Sequence, residues 1–383
     1  MDIKTDKMRV LHISNGFAGS KVHSNLAKKI DDRDVCQVVY CPVRTEEEMG
    51  GNQFEGKNIE FVYSYCIKSW YKFVYHYKAW RLYKDMRNKV DMQQVDIIHA
   101  HTLFSDGLLA YKAYKEYGIP YIVAVRNTDL NDFIRLLKHT YPIGREILLN
   151  ASKIFFISVG IMRTFSETGF VRPIIDQVKG KFELMPNGID DYWHLHISTM
   201  HHAGHDILYV GDFSDNKNVV TLANAVLQLR QEKEFMDVRL VIVGGDKGED
   251  RMSQTRKMIE DHPEAIVYLG KIFDKDRLAE VMGSCAIFAM VSIHETFGLV
   301  YVEALSQNLP VIYTKGQGID GMFDNTVGIG VNPLSVEEIR LAIREILSTP
   351  GKYGNGNVNF DDFKWGYIAD KYIDIYSDYS YNR

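Results

Sequence analysis

The sequence predicts an α/β protein built from two doubly wound parallel sheets. Three observations lead there. Short apolar runs alternate with amphipathic helical stretches along almost the whole chain, which is the pattern of repeated βαβ units. Those runs are too many for one small sheet, and a length of 383 residues suits two domains of ordinary size. An irregular segment at 191–206 separates the two sets and reads as an interdomain connection, which disfavours a single strand–helix barrel.

In the first half, strands are expected at Val10–Ser14, Val35–Cys41, Ile59–Tyr63, Ile97–His99, Tyr121–Val125, Ile154–Ile157 and Phe182–Met185. In the second half they are expected at Ile207–Val210, Arg239–Val243, Ile266–Leu269, Ala286–Met290, Val311–Tyr313 and Gly328–Val331. Each sheet should carry its ligand edge at the C-terminal ends of its strands. The last segment, D-D-F-K-W-G-Y-I-A-D-K-Y-I-D-I-Y, repeats aromatic and apolar residues at helical spacing, so 361–376 should be an amphipathic helix. The expected division is 1–190, a connection at 191–206, a second domain at 207–360, and a terminal helix within 361–383.

Composition narrows the class. A hydrophobic fraction of 46% with 25% charged residues is that of a soluble globular chain, and a net charge of −5 argues against a general nucleic-acid binder. Four cysteines, Cys36, Cys41, Cys66 and Cys285, show no close metal or redox pairing and read as reduced, partly buried thiols of a cytoplasmic protein. The first ten residues carry charge without an apolar run, so no signal peptide is expected, and no stretch of about 18 apolar residues predicts a membrane span. The connection holds His194, His196, His201, His202 and His205; such a cluster can bind zinc, but no acidic or cysteine partner stands at useful spacing, and no metal is assigned there.

Residues 291–313, V-S-I-H-E-T-F-G-L-V-Y-V-E-A-L-S-Q-N-L-P-V-I-Y, carry the most chemistry. Glu295 and Glu303 stand eight positions apart around Phe297, Gly298 and Leu299. A helix starting near Phe297 leaves Glu295 on the loop before it and brings Glu303 inward on its second turn. The N–H groups at such a helix start have no intrahelical partners and attract phosphate. Carboxylates accept from sugar hydroxyls. Phosphate donors between two hydroxyl acceptors are what a nucleotide-sugar site needs.

This stretch resembles the Glu-(seven residues)-Glu signature of the retaining family-4 glycosyltransferases, which have the GT-B fold. The resemblance extends over L-H-I-S-N-G-F-A-G-S (11–20), D-I-I-H-A-H (96–101), P-Y-I-V-A-V-R-N-T-D (120–129), M-P-N-G-I-D (185–190), I-L-Y-V-G-D-F-S-D-N-K-N (207–218), L-V-I-V-G-G (240–245) and V-Y-L-G-K-I (267–272). It implies two doubly wound Rossmann-like domains facing a central cleft, an N-terminal acceptor-side domain, a C-terminal nucleotide-sugar domain, and a last helix returning to the N-terminal domain. It implies a nucleoside-diphosphate sugar donor, with UDP or GDP as the nucleotide, no separate cofactor and no metal. Glu303 would hold the ribose hydroxyls and Glu295 the donor sugar. The N–H groups around Gly298 and Leu299, with Lys217, would stabilise the departing diphosphate.

The remaining site candidates follow from the same fragments. Lys217 lies between a strand and a helix, where a lysine can neutralise a diphosphate. Family members usually carry an arginine at the position of Asp212, and an aspartate there would repel phosphate; Arg126 is a candidate substitute cation. Gly16 and Gly19 flank the turn after the first strand, where glycine admits close backbone approach, although no G-x-G-x-x-G follows. By resemblance this loop lies against the donor. His99 and His101 share a strand face; a satisfied core histidine suits His99, and the resemblance makes His101 the site residue, near sugar or acceptor. Gly244 and Gly245 would turn the chain beside the nucleotide, and the family places the base against the stretch holding Lys271 and Ile272. Asn187 and Gly188 only shape the interdomain turn.

Residues 65–90 hold seven lysines and arginines against one aspartate, with eight interleaved aromatics. Trp70, Phe73, Tyr77 and Trp80 would share one helical face. Aromatic anchors with a basic flank suit an anionic membrane surface; the same pattern also suits an amphipathic helix with its aromatics in the core. With this segment a cytoplasmic chain could lie peripherally on the inner face of the cell membrane; the resemblance implies a glycan or lipid-linked acceptor and a setting in bacterial surface-polysaccharide assembly. Three other readings stay open. One is a sugar-nucleotide epimerase on the same fold. The second is a non-catalytic partner subunit, prompted by Asp212. The third is a nicotinamide-dependent dehydrogenase, disfavoured by the absent glycine fingerprint.

Overall fold

A computed structural model describes residues 7–380 except 69, 72, 73, 201, 203 and 246–253. The chain forms two compact units. The first comprises residues up to Ile157, residues 162–188 and the chain from Trp365 onward; the second comprises 158–161 and 189–364. Residues 191–206 therefore belong to the second unit, where Asp190 caps a short helix, Asp191–Leu195, by accepting from the Tyr192 N–H at 3.0 Å.

In the first unit, strands β1 (Arg9–Ile13), β2 (Cys36–Val43), β3 (Ile59–Tyr65), β4 (Ile97–Ala100), β5 (Tyr121–Val125), β6 (Lys153–Phe156) and β7 (Phe182–Leu184) form one parallel sheet in the order β3-β2-β1-β4-β5-β6-β7. The central strands are apolar on both faces because helices cover both; all five residues of β5 are buried. The helix Trp365–Ser380 covers one face. Its Trp365, Ile368, Ala369, Tyr372 and Tyr376 pack with Val10, Ile30, Ile97, Ile122 and Phe155. Burying each such side chain stabilises by roughly 1.5–3 kcal/mol. At the rim, Arg33 Nη2 donates to Asp370 Oδ2 at 3.0 Å and to the Gly366 carbonyl at 2.8 Å, fixing this helix against Lys21–Asp31.

In the second unit, β8 (Ile207–Asp212), β9 (Leu240–Gly245), β10 (Ile266–Tyr268), β11 (Ile287–Ala289), β12 (Val311–Thr314) and β13 (Gly328–Val331) form a second parallel sheet, ordered β10-β9-β8-β11-β12-β13. In both sheets the first strand of the unit lies inside the sheet, and the chain later returns to its other side. Neighbouring connections then leave on opposite faces, which opens a crevice beyond the strand ends: after β1 and β4 in one unit, after β8 and β11 in the other. Among the described residues, no helix is long and apolar enough to cross a membrane.

Between β3 and the helix Tyr75–Lys89, the aromatic segment splits. Ala79, Leu82, Tyr83 and Met86 face the core, while Trp70, Tyr77 and Trp80 are 44–48% exposed. Trp70 precedes the helix rather than riding on it, yet its ring stacks on Tyr77 at 5.6 Å, and Tyr77 meets Trp80 at 5.8 Å. Phe73 lies outside the described residues.

Candidate active site

The crevice of the second unit is built from two loops. After β8 the chain passes through a 3-10 turn, Asp215–Lys217, and Asn218 then takes a left-handed conformation (φ 56°) before the helix Val219–Leu229. After β11 it runs through 290–298 into the helix Leu299–Ser306. Asn216 ties the loops together: its carbonyl accepts from Ile293 N at 2.8 Å, its Oδ1 from His294 N at 3.0 Å, and its Nδ2 donates to the His294 carbonyl at 2.9 Å. Asn218 Nδ2 adds donations to the carbonyls of Val291 at 3.2 Å and Pro333 at 2.6 Å. Neither asparagine stands out in the sequence, because the loops they bridge are more than 70 residues apart.

This bracing places Lys217 Nζ 2.7 Å from Glu295 Oε2. The same oxygen accepts from Ser292 Oγ at 3.2 Å, and Glu295 Oε1 accepts from Thr296 N at 3.1 Å. The main chain at Glu295 is also held: its N–H donates to Gln317 Oε1 at 3.3 Å and its carbonyl accepts from Gly318 N at 2.9 Å. Ser158 Oγ donates to the Thr296 carbonyl at 2.9 Å, so residues 158–161 brace the same loop.

Gly298 caps Leu299–Ser306 at φ 77°, and a Cβ there would lie 2.6 Å from the Tyr301 ring. Glycine is required by the backbone, and having no side chain it leaves the helix start uncapped. The Leu299 and Val300 N–H groups thus remain available to an anion, while Tyr301 N donates to the Gly298 carbonyl at 2.9 Å. The Phe297 ring is 2% exposed and packs against Phe363, so Phe297 can reach a ligand only through its backbone. Glu303, on the second turn, has its carboxyl pushed up to about 7: burial dominates, Asp190 adds to it, and Lys275 and a hydrogen bond from Trp193 oppose it. Lys275 is itself paired with Asp190 at 2.5 Å.

The Gly244 position has a packing explanation: at φ 137° a Cβ would sit 1.7 Å from the Gly211 carbonyl oxygen of the neighbouring β8. The chain after Gly245, which was expected to turn beside a nucleotide, lies outside the described residues. Lys271 and Ile272 follow β10, with the Lys271 stem 3.3 Å from where a Gly245 Cβ would stand. Asp212 ends β8, and its Oδ1 accepts from Ser214 N at 2.9 Å.

The first unit holds the other candidates. His101 follows β4, 2% exposed, with its N–H donating to the Ile13 carbonyl at 3.1 Å. Burial first, then the neighbouring histidines and Arg126, hold its pKa well below the ordinary value, so the ring is neutral near pH 7. Arg126 follows β5; its Nε donates to the His101 carbonyl at 3.3 Å and its N–H to Asp129 Oδ2 at 2.8 Å. Gly16 and Gly19 flank a short 3-10 turn. A Cβ at Gly16 would make an ordinary 3.7 Å contact with His23, and one at Gly19 would meet nothing within 4 Å, so the fold itself requires neither glycine. Asp106, unremarked in the sequence, has its carboxyl pushed up to about 7 by burial; Oδ1 accepts from Asn15 N at 3.3 Å, and the buried Oδ2 has no partner among the described residues.

The histidines of the 191–206 segment are structural. His202 bonds the carbonyls of Gly283 at 2.9 Å and Gln307 at 2.6 Å, His196 bonds the Tyr192 carbonyl at 2.8 Å, His194 bonds the Phe363 carbonyl at 3.2 Å, and His205 pairs with Asp237 at 2.9 Å. His201 lies outside the described residues.

Comparison with known proteins identifies the family and the fold. Residues 21–192 match the family described as "Glycosyltransferase Family 4", and residues 204–349 match "Glycosyl transferases group 1". An uncharacterised glycosyltransferase of Methanocaldococcus jannaschii is 25% identical over 292 residues, covering 74% of this chain and 75% of its own. Sucrose-phosphate synthase from Thermosynechococcus elongatus superposes with a TM-score of 0.72 at 16% identity, over 97% of this chain and 99% of that one. An Anabaena protein in complex with UDP and glucose superposes at 0.63 and 15% identity, over 97% of this chain and 100% of its own. The motif fragments, the two parallel sheets and these matches together make the chain a member of the family-4 glycosyltransferases, with the GT-B fold.

Proposed function

We propose that the chain is a retaining glycosyltransferase that moves a sugar from a nucleoside-diphosphate sugar to a hydroxyl of a glycan or lipid-linked glycan. The observation that carries this is the Lys217–Glu295 pair, 2.7 Å apart, beside the uncapped helix start at Gly298. Lys217 and the Leu299 N–H side of the helix meet the diphosphate, Glu295 receives hydroxyls of the donor sugar, and Glu303 receives those of the ribose. As the bond from the anomeric carbon to the phosphate oxygen breaks, negative charge grows on that oxygen, where a fixed lysine and a helix start stabilise it. The acceptor oxygen bonds to the same face of the anomeric carbon, and its proton passes to the departing phosphate.

The exposed rings of Trp70, Tyr77 and Trp80 beside the basic helix Tyr75–Lys89 support an acceptor presented at an anionic membrane. The deciding experiment titrates the protein with uridine, guanosine and adenosine diphosphate sugars, then follows the anomeric configuration of the product by NMR. Binding of a uridine or guanosine diphosphate sugar, with retained configuration in the product, is expected. An inverted product would overturn the mechanism, and isomerised donor without transfer would favour an epimerase.

A further inference from the structure

The central strands of the first unit bring together three histidines that the proposed reaction does not use as a group. His99 and His101 are two apart on β4, so their rings share one face of the sheet; they stack with centroids 4.1 Å apart. His12 on β1 is the register partner of His99. All three are 0–2% exposed, and one ring nitrogen from each lies within 4.8 Å of the others. We propose that His12, His99 and His101 form a divalent-metal site, with zinc as the ion that best fits three imidazoles.

The distances favour this. His12 Nδ1 lies 3.2 Å from His101 Nε2. Two nitrogens on a tetrahedral zinc, each at 2.0–2.1 Å, stand about 3.3 Å apart. An ion would need to draw the third ring inward by at most about 1.5 Å. A ligating histidine donates its other N–H to a fixed partner; His99 and His12 have such a group beside the far nitrogen, whereas His101 Nδ1 is buried without one among the described residues. His99 Nδ1 is 2.7 Å from the Tyr376 hydroxyl. Gln37 stands beside His12, and both His12 Nε2 and Gln37 Oε1 are buried without a hydrogen bond, so a small ring rotation joins them. His99 Nε2 is buried and unpartnered, which leaves it available as the third ligand.

Two features oppose the ion. Arg126 is close enough to disfavour positive charge on His99 and His101, and His23 stacks on His101 at 4.5 Å. Against them stands the gathering of one nitrogen from each of the three rings within 4.8 Å of the others. Because the ring nitrogens are enclosed, the ion would be captured as the chain folds. Its role is to clamp β1 to β4 beneath the C-terminal helix; it takes no part in donor chemistry.

The test is metal content. The full chain is produced in zinc-supplemented medium, dialysed against EDTA and analysed by plasma mass spectrometry. About one zinc per chain is expected, falling below about a tenth in His12→Gln and His99→Gln, while His205→Gln retains the full amount. A parallel sample is unfolded and refolded with cobalt(II), and the wild-type chain should show the visible absorption of bound cobalt. That arm does not depend on how the variants fold. Wild-type zinc below about a tenth of an equivalent with no cobalt spectrum overturns the proposal, and so does full zinc retention in well-folded His12→Gln. Neither result bears on sugar-nucleotide binding, which is read separately.

Discussion

Lys217 Nζ and Glu295 Oε2, 78 residues apart in sequence, meet at 2.7 Å across the crevice between β8 and β11. Their side chains are 22% and 11% exposed, so neither charge is well solvated when alone. The pair fixes the lysine in place, so that in the proposed reaction its charge needs no reorganisation.

Breaking this pair separates the two roles. Lys217→Ala should lower kcat by about 10²–10³, the usual loss for a fixed charge donor. Glu295→Ala should lower kcat more than it weakens nucleoside diphosphate binding, because in the proposed reaction the carboxylate meets the sugar. Steady-state kinetics and calorimetry with the free diphosphate measure the two effects. Loss of diphosphate affinity with unchanged kcat in Glu295→Ala would reverse the assignment.

Glu303 gives a pH dependence. Its carboxyl titrates at about 7 instead of the ordinary 4.5, chiefly because it is buried. The folded chain therefore holds this proton more tightly than the unfolded chain does. Its contribution to stability is greatest at low pH and declines as pH rises through about 7. In the proposed site the ribose draws on the ionised form, so diphosphate affinity should increase as pH rises from about 6 to about 8, with proton release near neutral pH. Glu303→Gln should remove both trends, and Glu303→Ala should weaken binding outright. Calorimetry in buffers of different ionisation enthalpy reads the proton; a wild-type affinity flat across that range would sink the ribose assignment.

Much of this was readable from the sequence because buried parallel strands are nearly continuous apolar runs. Gly328–Val331 falls where expected, and β1 and β11 differ only at their ends. The helix expected to start near Phe297 begins at Leu299, because Gly298 takes a left-handed cap conformation before it. Long-range placement was not. The apolar pattern of a parallel strand does not specify its neighbours, so the meeting of His12 with His99 and of Lys217 with Glu295 depends on strand order. Asn216 and Asp106 were missed for the same reason: a polar loop residue shows its partner only after the chain has folded. The aromatic face of 65–90 was read as one helix, but Trp70 joins it from the preceding loop.

Donor chemistry should persist in excess EDTA and gain nothing from manganese, since Lys217 and the start of Leu299–Ser306 supply the positive field that a divalent ion would give. The measurement is initial rate with and without chelator. Complete loss restored by manganese would require an ion at the diphosphate and displace Lys217 from its role.

The exposed aromatic face predicts salt-sensitive vesicle binding. Trp70, Tyr77 and Trp80 are 44–48% exposed, and Lys84 lies over the Trp80 ring at 5.6 Å, so these groups can be changed with little effect on the core. Co-sedimentation with anionic vesicles should be strong at low salt and weak near 1 M, where the Debye length is about 3 Å. Trp80→Ser with Arg81→Glu should abolish it while leaving thermal stability nearly unchanged. Wild-type protein remaining in the supernatant at low salt would point to a soluble acceptor.

Asp212 tests how the site manages phosphate charge. It stands where family members usually carry arginine, and its carboxylate would repel a diphosphate if it faced one. Instead Oδ1 accepts from Ser214 N at 2.9 Å, which turns that oxygen into the loop leading to Lys217. The aspartate thus shapes the turn that delivers the lysine. Asp212→Arg should tighten nucleoside diphosphate binding by adding a cation beside Lys217, and its gain should be partly offset by loss of the turn bond, which is worth about 1 kcal/mol. Asp212→Asn separates these effects: it keeps an acceptor for Ser214 and removes the charge. Tighter binding in Asp212→Asn, and tighter still in Asp212→Arg, is the expected order in calorimetry with the diphosphate. Unchanged affinity in both variants, together with a silent Lys217→Ala and no sugar nucleotide bound at millimolar concentration, would remove phosphate binding from this crevice and favour a non-catalytic partner role.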